Sequence, residues 1–448
     1  MTGKGNTDKS MQTSLRGIAN KAANDKQHRF GSLYRLLNES NLRESFYKLR
    51  KSAATGIDGV TFQSYEENLD ENLANLVERL KAKRYRAKLV KRKLIPKPGS
   101  NKKRPLGIPA LEDKLLQRAV ADILSAIYEQ DFHECSYGYR KGKSPHQALD
   151  QIRSVIYSDD ISCVVEADIR GFFDNIDHDW LVEMLEHRIN DGALIRLIKK
   201  WLKAGILEET GSVTHPATGT PQGGIVSPVL ANIYLHYVLD HWFEKQIKRE
   251  CERTCHLVRY ADDFVCLFED PEEGETFNIK LGARMEKFGL ELAEEKSGVK
   301  PFSNWREQHG KKSFEMLGFE FRRTINWKGN RVLERRTSRK RMQSSVKHFT
   351  KWMKDNRHQN KRRLLTSLKR KLDGYWNYYA IKGNSKSCST IYYHVTKIAF
   401  KWLNRRSDKS SFTWSQFRRF LKRGGIRPPR VKQSVWKQEE MKLVVGVV

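Results

Sequence analysis

The sequence predicts an α+β fold with more than one hydrophobic core, and three observations lead to this prediction. Several segments place apolar residues at helical spacing, which indicates amphipathic helices. Other segments are short apolar runs beside turn residues, which indicates β-strands and hairpins. The chain has 448 residues, which is enough for two or three domains.

The first elements are helices on either side of a basic hairpin. Leucines at positions 69, 73, 76 and 80 predict a helix within residues 68–85. The segment AKLVKRKLIPKPGSNKKRPLGIPA alternates apolar with basic residues around a Pro-Gly-Ser-Asn turn, which predicts a basic β-hairpin. Apolar residues from Leu115 to Ile127 then keep helical spacing, and the turn-rich segment ECSYGYRKGKSPHQAL leads into another helix.

Residues 161–169 predict a strand with an aspartate near its end. Their odd-numbered positions are apolar and would face the core, which places Glu166 and Asp168 on the opposite side. A helix follows, and then the loop HPATGTPQGGIVSP, which is dense in glycine and proline. Ser227 and Pro228 are typical N-cap and first-turn residues for the next helix.

The segment RYADDFVCLF carries two adjacent aspartates, Asp262 and Asp263, with strand-like residues on both sides. This pattern predicts a hydrophobic hairpin with two like charges at its tip. A helix and then SFEMLGFEF follow, and the latter predicts a further strand or hairpin. Beyond Arg331 the periodicity predicts basic helices.

The chain is strongly and unevenly basic. Its 84 Lys and Arg against 53 Asp and Glu give a net charge of +31, which indicates a polyanionic partner. Residues 331–448 alone contain 32 Lys and Arg against 6 Asp and Glu, a net charge of +26. Five tryptophans in the same segment predict that it folds and is not a disordered arm.

Cysteine usage and hydropathy bear on the compartment. Cys163 and Cys266 lie in strand-like runs, which indicates buried thiols in a reducing environment. Cys251, Cys255 and His256 could bind a metal, but no second ligand pair follows at zinc-site spacing. No apolar run approaches the roughly 20 residues of a membrane span, and the N-terminus lacks a signal-peptide core. We therefore expect a soluble protein of the cytoplasm, with no membrane partner.

The aspartates are candidate metal ligands. Adjacent carboxylates in an apolar part of a fold repel each other and lose hydration, so they take up protons or bind a cation. Asp262 and Asp263 could also be simple turn residues, because Asp is favoured in tight turns. Together with Asp168, however, they form the oxygen-only ligand set that Mg²⁺ prefers. Two such ions about 3.5–4 Å apart can bridge one phosphate and promote phosphoryl transfer.

The motifs resemble those of a known family. ADIRGFF, GTPQGGIVSPVLANIYL, YADD, GLELAEEKS and MLGFEF occur in the order and rough spacing of the palm motifs of reverse transcriptases. RPLGIPALEDKLLQRAV, SYGYRKGKSPHQAL and DGYWNYYAI look like the reverse transcriptases encoded by group II introns, which are also called maturases. The resemblance extends from about Leu33 to about Phe420. It implies a right-hand polymerase with fingers, a palm with an antiparallel sheet, and a helical thumb.

The resemblance also implies a domain organisation. Residues 1–330 would form fingers and palm with an N-terminal extension, because ATGIDGVTF resembles the extra block of intron-encoded and retrotransposon enzymes. Residues 331–408 would form the thumb or maturase domain, and residues 409–448 a small basic DNA-binding region. We do not expect the homing endonuclease with paired cysteines that many relatives carry. Mobility would then use a primer made elsewhere, such as a nascent strand at a replication fork.

Site residues follow from the resemblance by position. Asp168, Asp262 and Asp263 match the metal-binding aspartates, and the backbone carbonyl of Ile169 would be a further ligand. Two Mg²⁺ ions are implied, with Mn²⁺ as an alternative. Phe173 matches the aromatic residue that lies under the nucleotide sugar and excludes a 2′-hydroxyl, with a core residue beside Phe172 as the alternative.

The remaining substrate contacts are basic or polar. Gln222 matches the residue that contacts the incoming nucleotide. Lys97 and Arg104 match finger residues that grip the triphosphate, and Arg suits bidentate phosphate contacts. Lys296 matches a palm lysine near the triphosphate. The flanking residues depart from the family pattern, because Ala293 and Ser297 stand where asparagine and threonine are frequent.

The implied activity is the copying of RNA into DNA, with an RNA template, a DNA primer and dNTPs as substrates. The resemblance also implies that the protein binds intron RNA to assist splicing, and that it binds target DNA. Arg362, Arg363, Lys369 and Arg370 are candidate RNA contacts, or else a solvated helix face. Two alternatives remain: a splicing-only maturase whose polymerase has decayed, and a domesticated defence or repair polymerase. The intact aspartates argue against decay.

Overall fold

A computed structural model describes residues 8–96, 103–220, 223–302, 312–325, 328–406 and 412–431, with side chains from residue 14 onward. Helices and sheets both occur throughout these residues, which confirms the predicted α+β class. The chain divides into two compact units, Met1–Ala148 with Ala167–Val299 and Leu149–Glu166 with Lys300–Val448.

The described α-helices and β-strands have the following bounds. The helices are α1 (Asp8–Asn24), α2 (Glu39–Tyr47), α3 (Phe62–Glu66), α4 (Leu69–Lys81), α5 (Leu111–Tyr128), α6 (Pro145–Ser158), α7 (Phe172–Asn175), α8 (His178–Glu186), α9 (Gly192–Leu202), α10 (Ser227–Leu235), α11 (Lys248–Glu250), α12 (Pro271–Lys287), α13 (Arg339–Asn356), α14 (Lys361–Tyr379), α15 (Ser385–Leu403) and α16 (Trp414–Arg423). The strands are β1 (Val90–Pro96), β2 (Lys103–Ile108), β3 (Cys163–Asp168), β4 (Ile206–Leu207), β5 (Val213–Thr214), β6 (Cys255–Tyr260), β7 (Asp263–Phe268), β8 (Gly298–Pro301), β9 (Phe314–Met316), β10 (Phe319–Ile325) and β11 (Arg331–Thr337).

The first unit is built around α5. The predicted apolar stripe of this helix is buried along its length, from Leu115 to Ile127. Helices α1 and α2 pack against it. Burial of several aliphatic side chains, each worth about 1.5–3 kcal/mol, makes α5 a central support of this unit.

The predicted basic hairpin is confirmed as β1 and β2, which pair antiparallel from Lys91↔Ile108 to Pro96↔Lys103. It belongs to a four-stranded sheet with the order β2-β1-β4-β5, in which β4 runs parallel to β1. The two-residue strands β4 and β5 are too short to give a sequence pattern, so they were not predicted.

A second four-stranded sheet has the order β6-β7-β3-β8. Strands β6 and β7 form the predicted hairpin with the aspartates at its tip. Strand β3 is shorter than the predicted 161–169 and is buried on both faces, since Val164 is fully buried and Glu166 is also buried. Glu166 accepts a hydrogen bond from the Glu315 amide at 2.6 Å, which gives one of its buried carboxylate oxygens a partner.

The helix after the glycine-rich loop departs from the prediction at its N-terminal end. Val226 is the N-cap and Ser227 is already helical, so the predicted Ser227 cap is wrong by one residue. The Ser227 hydroxyl instead lies 2.7 Å from the Thr220 hydroxyl. After Leu235 the chain does not continue as a regular α-helix: His236–Asp240 and Phe243–Ile247 are π-helical.

In the second unit, β9, β10 and β11 form an antiparallel sheet with the order β11-β10-β9. SFEMLGFEF thus forms a hairpin as predicted, but the expectation of helix from Arg331 is wrong, because Arg331–Thr337 pairs with β10 as β11. The helical region begins at Arg339. Helices α13 to α16 share one hydrophobic core that includes Met353, Leu368 and Phe417.

Helix α16 begins with a capping box between Thr413 and Gln416 and buries Phe417 and Leu421 in the core of the helical region. The separate DNA-binding role of residues 409–448 stays a prediction. Cys163 and Cys266 are buried, as expected. Among the described helices, none combines the length and the hydropathy that a membrane-spanning segment needs.

Candidate active site

The two aspartates of the hairpin lie on a very tight turn. Tyr260 pairs with Asp263 across β6 and β7, which leaves Ala261 and Asp262 as the two residues of the turn. Ala261 has a φ of 59°, in the left-handed region. A residue with a Cβ adopts this conformation only at an energetic cost, so the surroundings must hold the turn in place.

Arg259 supplies that support. Its side chain is fully buried, and each of its five N–H groups has an acceptor. Nη1 donates to the Ala261 carbonyl at 2.9 Å and to Asn232 Oδ1 at 3.0 Å, Nη2 donates to Ser136 Oγ at 2.8 Å, and the Asp240 carboxylate accepts from Nε and Nη2. Burial lowers the pKa of Arg259, but Asp240 outweighs burial and raises it, so this guanidinium is charged.

A second support comes from the loop SYGYR. Gly138 lies directly against the turn, because a Cβ on Gly138 would fall 2.2 Å from the Ala261 backbone nitrogen. Asn232 Nδ2 donates to the Gly138 carbonyl at 2.7 Å, and the Tyr137 amide donates to the Arg259 carbonyl at 2.8 Å. Only glycine allows this close approach, so the loop and the turn fix each other.

Asp168 and Asp262 lie within electrostatic range of each other. Burial raises the pKa of Asp262, and the nearby Asp168 carboxylate raises it further. Arg104 and Arg259 act in the opposite direction on the same group. The structure therefore brings together Asp168, Asp262 and Arg104, and Asp263 follows at the first position of β7.

The backbone around Asp168 is fixed by the segment that carries Lys296. The Asp168 carbonyl accepts from the Ala293 amide at 2.8 Å, and the Asp168 amide donates to Ser297 Oγ at 3.2 Å. The next residue, Ile169, forms an isolated bridge with Leu292. The role of the Ile169 carbonyl as a metal ligand stays a prediction.

Lys296 reaches Asp168 directly. Its Nζ forms an ion pair with Asp168 Oδ2, and this contact raises the pKa of Lys296. About half of the lysine side chain is exposed, so the ammonium group lies at the solvent side of the aspartates.

Tyr139 is a site residue that the sequence reasoning missed. It has a φ of 58° and is half exposed. Burial and the Asp262 carboxylate raise its pKa, whereas Arg104 lowers it, so the phenol lies near both groups. The motif SYGYR was recognised as a whole, but it contained no signal that this tyrosine faces Asp262.

Phe173 is buried, with 7% of its surface exposed, and its ring centroid is 5.4 Å from that of Phe172. Its carbonyl accepts from the Thr220 amide at 2.7 Å. These contacts suit a core residue, and they also fix Phe173 beside the strand end that carries Asp168. The sugar-contact role therefore stays a prediction, with the core role as its alternative.

The glycine-rich loop is held against two neighbours. A Cβ on Gly219 would lie 2.6 Å from the Asp174 carbonyl, and a Cβ on Gly223 would lie 2.2 Å from the Gly107 carbonyl of β2. Gly223 also has a φ of 122°. Two predicted substrate residues, Gln222 in this loop and Lys97 in the hairpin, lie outside the described residues.

The candidate RNA contacts lie on α14 in the second unit. Arg362, Arg363, Lys369 and Arg370 are all exposed. Lys369 forms an ion pair with Asp373 at 2.6 Å, which partly neutralises it. Their role in binding RNA stays a prediction.

The carboxylates of Asp168, Asp262 and Asp263 are the groups that could hold divalent cations. Hard oxygen donors suit Mg²⁺, and a bound cation would relieve the repulsion that raises the pKa of Asp262. Basic groups at the same place, Arg104 and Lys296, can bind the phosphates of a nucleotide. The arrangement can therefore support phosphoryl transfer.

Residues 95–321 match the family described as reverse transcriptase (RNA-dependent DNA polymerase). The chain is 40% identical over 228 residues to the group II intron-encoded protein LtrA of Lactococcus lactis subsp. cremoris, a match that covers 50% of this chain and 37% of LtrA. It is 31% identical over 288 residues to protein YkfC of Escherichia coli (strain K12), covering 56% of this chain and 74% of YkfC. It is 28% identical over 145 residues to nuclear intron maturase 4, mitochondrial, of Arabidopsis thaliana, a match that covers 32% of this chain and 17% of that protein.

Proposed function

The chain belongs to the reverse transcriptase family, and from this premise we propose that it is an RNA-directed DNA polymerase of the group II intron-encoded type. The chain spans 37% of the length of LtrA, so the activity, substrates and partners of the whole protein are proposals. One observation carries the proposal: Asp262, in the turn of the β6–β7 hairpin, lies within electrostatic range of Asp168 and Arg104, and Lys296 forms an ion pair with Asp168.

The ligand set fits two Mg²⁺ ions, held by Asp168, Asp262 and Asp263 with the Ile169 carbonyl. When bound, such ions activate an attacking hydroxyl and stabilise the charge on the leaving phosphate oxygens. Mn²⁺ has the same preference for oxygen ligands and is the expected substitute.

The protein's own residues bind and orient the substrates. Arg104 and Lys296 would bind the triphosphate of the dNTP, because both lie beside the aspartates and carry positive charge. Phe173 would pack under the sugar, and Lys97 and Gln222 complete the predicted set of contacts. Arg259 and Gly138 keep the aspartates in position before substrate arrives, which is the preorganisation that efficient catalysis requires.

The test is extension of a DNA primer on an RNA template with dNTPs and Mg²⁺. Asp262→Asn keeps the side-chain shape but removes one charged ligand, so we expect extension to fall by about 10²-fold or more, while RNA affinity changes only slightly. Asp179→Asn is the matched control, because Asp179 is an exposed residue in the first turn of α8. Extension by Asp262→Asn at the rate of the control would refute the metal-site assignment.

We also propose that the protein binds intron RNA and assists splicing, with α14 as part of the RNA-binding surface. The support is the net charge of +26 in residues 331–448 and the folded helices α13 to α16 that carry much of it. RNA recognition of this kind depends on phosphate contacts and on shape. A splicing assay with the flanking intron RNA tests this part, and normal polymerase activity without any effect on splicing would favour the defence or repair alternative.

A further inference from the structure

Three histidines converge at a place remote in sequence from the aspartates. His133 follows α5, and His236 and His241 belong to the segment after α10. One ring nitrogen of each lies within 4.8 Å of the others. The separation between His133 Nε2 and His241 Nδ1 is 3.4 Å.

The π-helical segment is what brings His236 and His241 to the same side. In a regular α-helix, residues five apart point in directions about 140° apart. In His236–Asp240 the His241 amide instead donates to the His236 carbonyl, the i to i+5 bond of a π-helix. Such π-helical turns occur often at functional sites, and here the turn aligns two imidazoles that an α-helix would separate.

His236 is the deepest of the three. Only 4% of its surface is exposed, and its Nδ1 is buried without a hydrogen-bond partner among the described residues. Buried polar atoms nearly always have a partner. The Nδ1 of His236 is therefore available to bind an ion together with the two neighbouring imidazoles.

The local electrostatics favour neutral imidazoles. Burial and the neighbouring His133 and His241 lower the pKa of His236 well below its usual value, and a neutral ring is the form that binds a metal. Arg140 and Arg259 also face His236, but both are neutralised, Arg140 by Glu129 at 2.9 Å and Arg259 by Asp240.

The charges around His241 are less favourable for binding a cation than those around His236. Burial, His133, Lys245 and Arg284 all lower its pKa. Arg284 is engaged with the backbone carbonyls of Val238 and Tyr237, but it keeps its charge. We therefore expect weaker binding than at a structural zinc site with thiolate ligands.

We propose that His133, His236 and His241 form a binding site for a divalent transition-metal ion, with Zn²⁺ as the first candidate. Imidazole ligands suit Zn²⁺ and its neighbours, whereas Mg²⁺ prefers oxygen ligands. Two nitrogens bound to one tetrahedral Zn²⁺ at about 2.0–2.1 Å are roughly 3.3–3.4 Å apart, which agrees with the 3.4 Å between His133 and His241. Three protein ligands would leave the fourth position of a tetrahedral ion to water.

The site would act on the structure of the first unit. It joins the end of α5 to the π-helical segment, and that segment also carries Asp240, the buried partner of Arg259. A bound metal would therefore stabilise the segment that supports the turn of Ala261 and Asp262. A metal that binds only the native state raises the free energy of unfolding with the logarithm of its concentration above Kd.

The experiment uses the full chain, stripped with a chelator and then titrated with Co²⁺ or Zn²⁺ in the presence of saturating Mg²⁺. We expect one equivalent of Co²⁺ to give the visible absorption of a nitrogen-ligated tetrahedral ion, and Zn²⁺ to raise Tm. His241→Ala and His133→Ala should each weaken binding at least tenfold. Neither side chain is fully buried, so both variants should fold, and His394→Ala, an exposed position on α15, is the matched control.

Three results would overturn the proposal. One is equal Zn²⁺ affinity in the wild type and both histidine variants, which would leave only an imidazole hydrogen bond between His133 and His241. Another is thiolate-to-cobalt charge-transfer absorption, which would assign the metal to Cys251 and Cys255. The third is loss of binding in Asp262→Asn with His241→Ala unaffected, which would assign it to the aspartates.

Discussion

At the scale of single residues, the first unit contains buried charged groups whose hydrogen-bond partners are distant in sequence. Asp113 of α5 is one such group outside the active site. It is almost fully buried, its carboxylate accepts hydrogen bonds from the Tyr85 hydroxyl and, at 3.2 Å, from the Lys88 amide, and burial raises its pKa to about 6 despite these contacts.

This shift predicts a pH dependence of stability. A carboxyl group whose pKa is higher in the folded state favours folding below its unfolded value, 3.8, and loses that contribution as pH rises through about 6. The loss amounts to about 3 kcal/mol at most. We therefore expect Asp113→Asn to be more stable than the wild type at pH 8 and to differ little from it near pH 4.

Thermal unfolding of both proteins between pH 4 and pH 8 measures this difference, with Asp179→Asn as the control for an exposed aspartate. A constant difference between Asp113→Asn and the wild type over the whole pH range would show that Asp113 does not titrate as described.

Phe173 gives a second prediction at this scale. If its ring lies under the nucleotide sugar, Phe173→Val opens space near C2′ and should raise incorporation of rNTPs relative to dNTPs. Competition between the two nucleotides in primer extension measures the ratio. Phe172→Leu is the matched control, because Phe172 is equally buried and adjacent.

Both phenylalanine variants should lower Tm, since both remove buried apolar volume. Only the effect on nucleotide choice separates a sugar contact from a core residue. An unchanged ratio in Phe173→Val would assign Phe173 to the core alone.

At the scale of elements, the glycine-rich loop contacts both the end of α7, at Asp174, and the β1–β2 hairpin, at Gly107. Gly223→Ala would place a Cβ 2.2 Å from the Gly107 carbonyl, so the loop or β2 must move. A displacement of about 1 Å at a substrate-positioning loop can cost about 10²-fold in rate. We expect kcat/KM for dNTPs to fall at least tenfold.

Gly211→Ala separates this clash from backbone strain. Gly211 has a φ of 88°, also unfavourable for alanine, but a Cβ there meets nothing within 4 Å. It should lower stability and leave kcat/KM unchanged. Equal activity in the two variants would mean that contact of the loop with β2 does not position the substrate.

The elements that sequence patterns predicted are those with local signals. The stripe of α5, the β1–β2 hairpin and the hairpin of Asp262 and Asp263 follow from periodicity and turn residues over a few positions. The π-helical segment gave no signal, because its apolar residues also fit an α-helix. Strand β11 gives only a weak pattern, because the basic residues that surround its apolar positions are also typical of the helices that follow.

The candidate site divides in the same way. The aspartates, Arg104 and Lys296 were found through motifs, and the structure brings Asp168, Asp262, Arg104 and Lys296 together. The network of Arg259 could not be derived from the sequence, since its partners Ser136, Asn232 and Asp240 come from separate segments. A buried arginine looks the same in sequence as an exposed one until its surroundings are known.

At the scale of the whole molecule, the charge is the dominant property. The net charge of +31 is concentrated in residues 331–448, and α14 presents several of these residues to solvent. Binding of a polyanion by such a surface releases counterions, so affinity falls as the salt concentration rises. Each phosphate contact adds roughly 0.7–0.9 to the steepness of log affinity plotted against log salt concentration.

Replacing Arg362, Arg363, Lys369 and Arg370 by glutamine should therefore lower this slope for intron RNA. Lys369 should contribute least, because Asp373 already neutralises it in part. Primer extension at low salt should survive. RNA affinity measured over a salt titration gives the slope directly.

A double variant of Lys248 and Lys280 to glutamine is the control, since these exposed or partly exposed lysines are ion-paired with Glu244 and Glu250. Identical slopes for the wild type and the fourfold α14 variant would remove this face from the RNA-binding surface and leave it as a solvated helix.

The hydrogen bonds of Arg259 also bear on how the protein is made. Its side-chain partners Ser136, Asn232 and Asp240 all precede it in the chain, and its remaining acceptor, the Ala261 carbonyl, follows two residues later. Domains form from the N-terminus during synthesis, so a nascent chain holds every group of this network once Ala261 has been added. Asp168 is synthesised much earlier but gains its contacts to Ala293, Lys296 and Ser297 only later. Asp168 is thus the first of the three aspartates to be translated, but the groups that hold it in place are translated after those that hold the turn of Asp262.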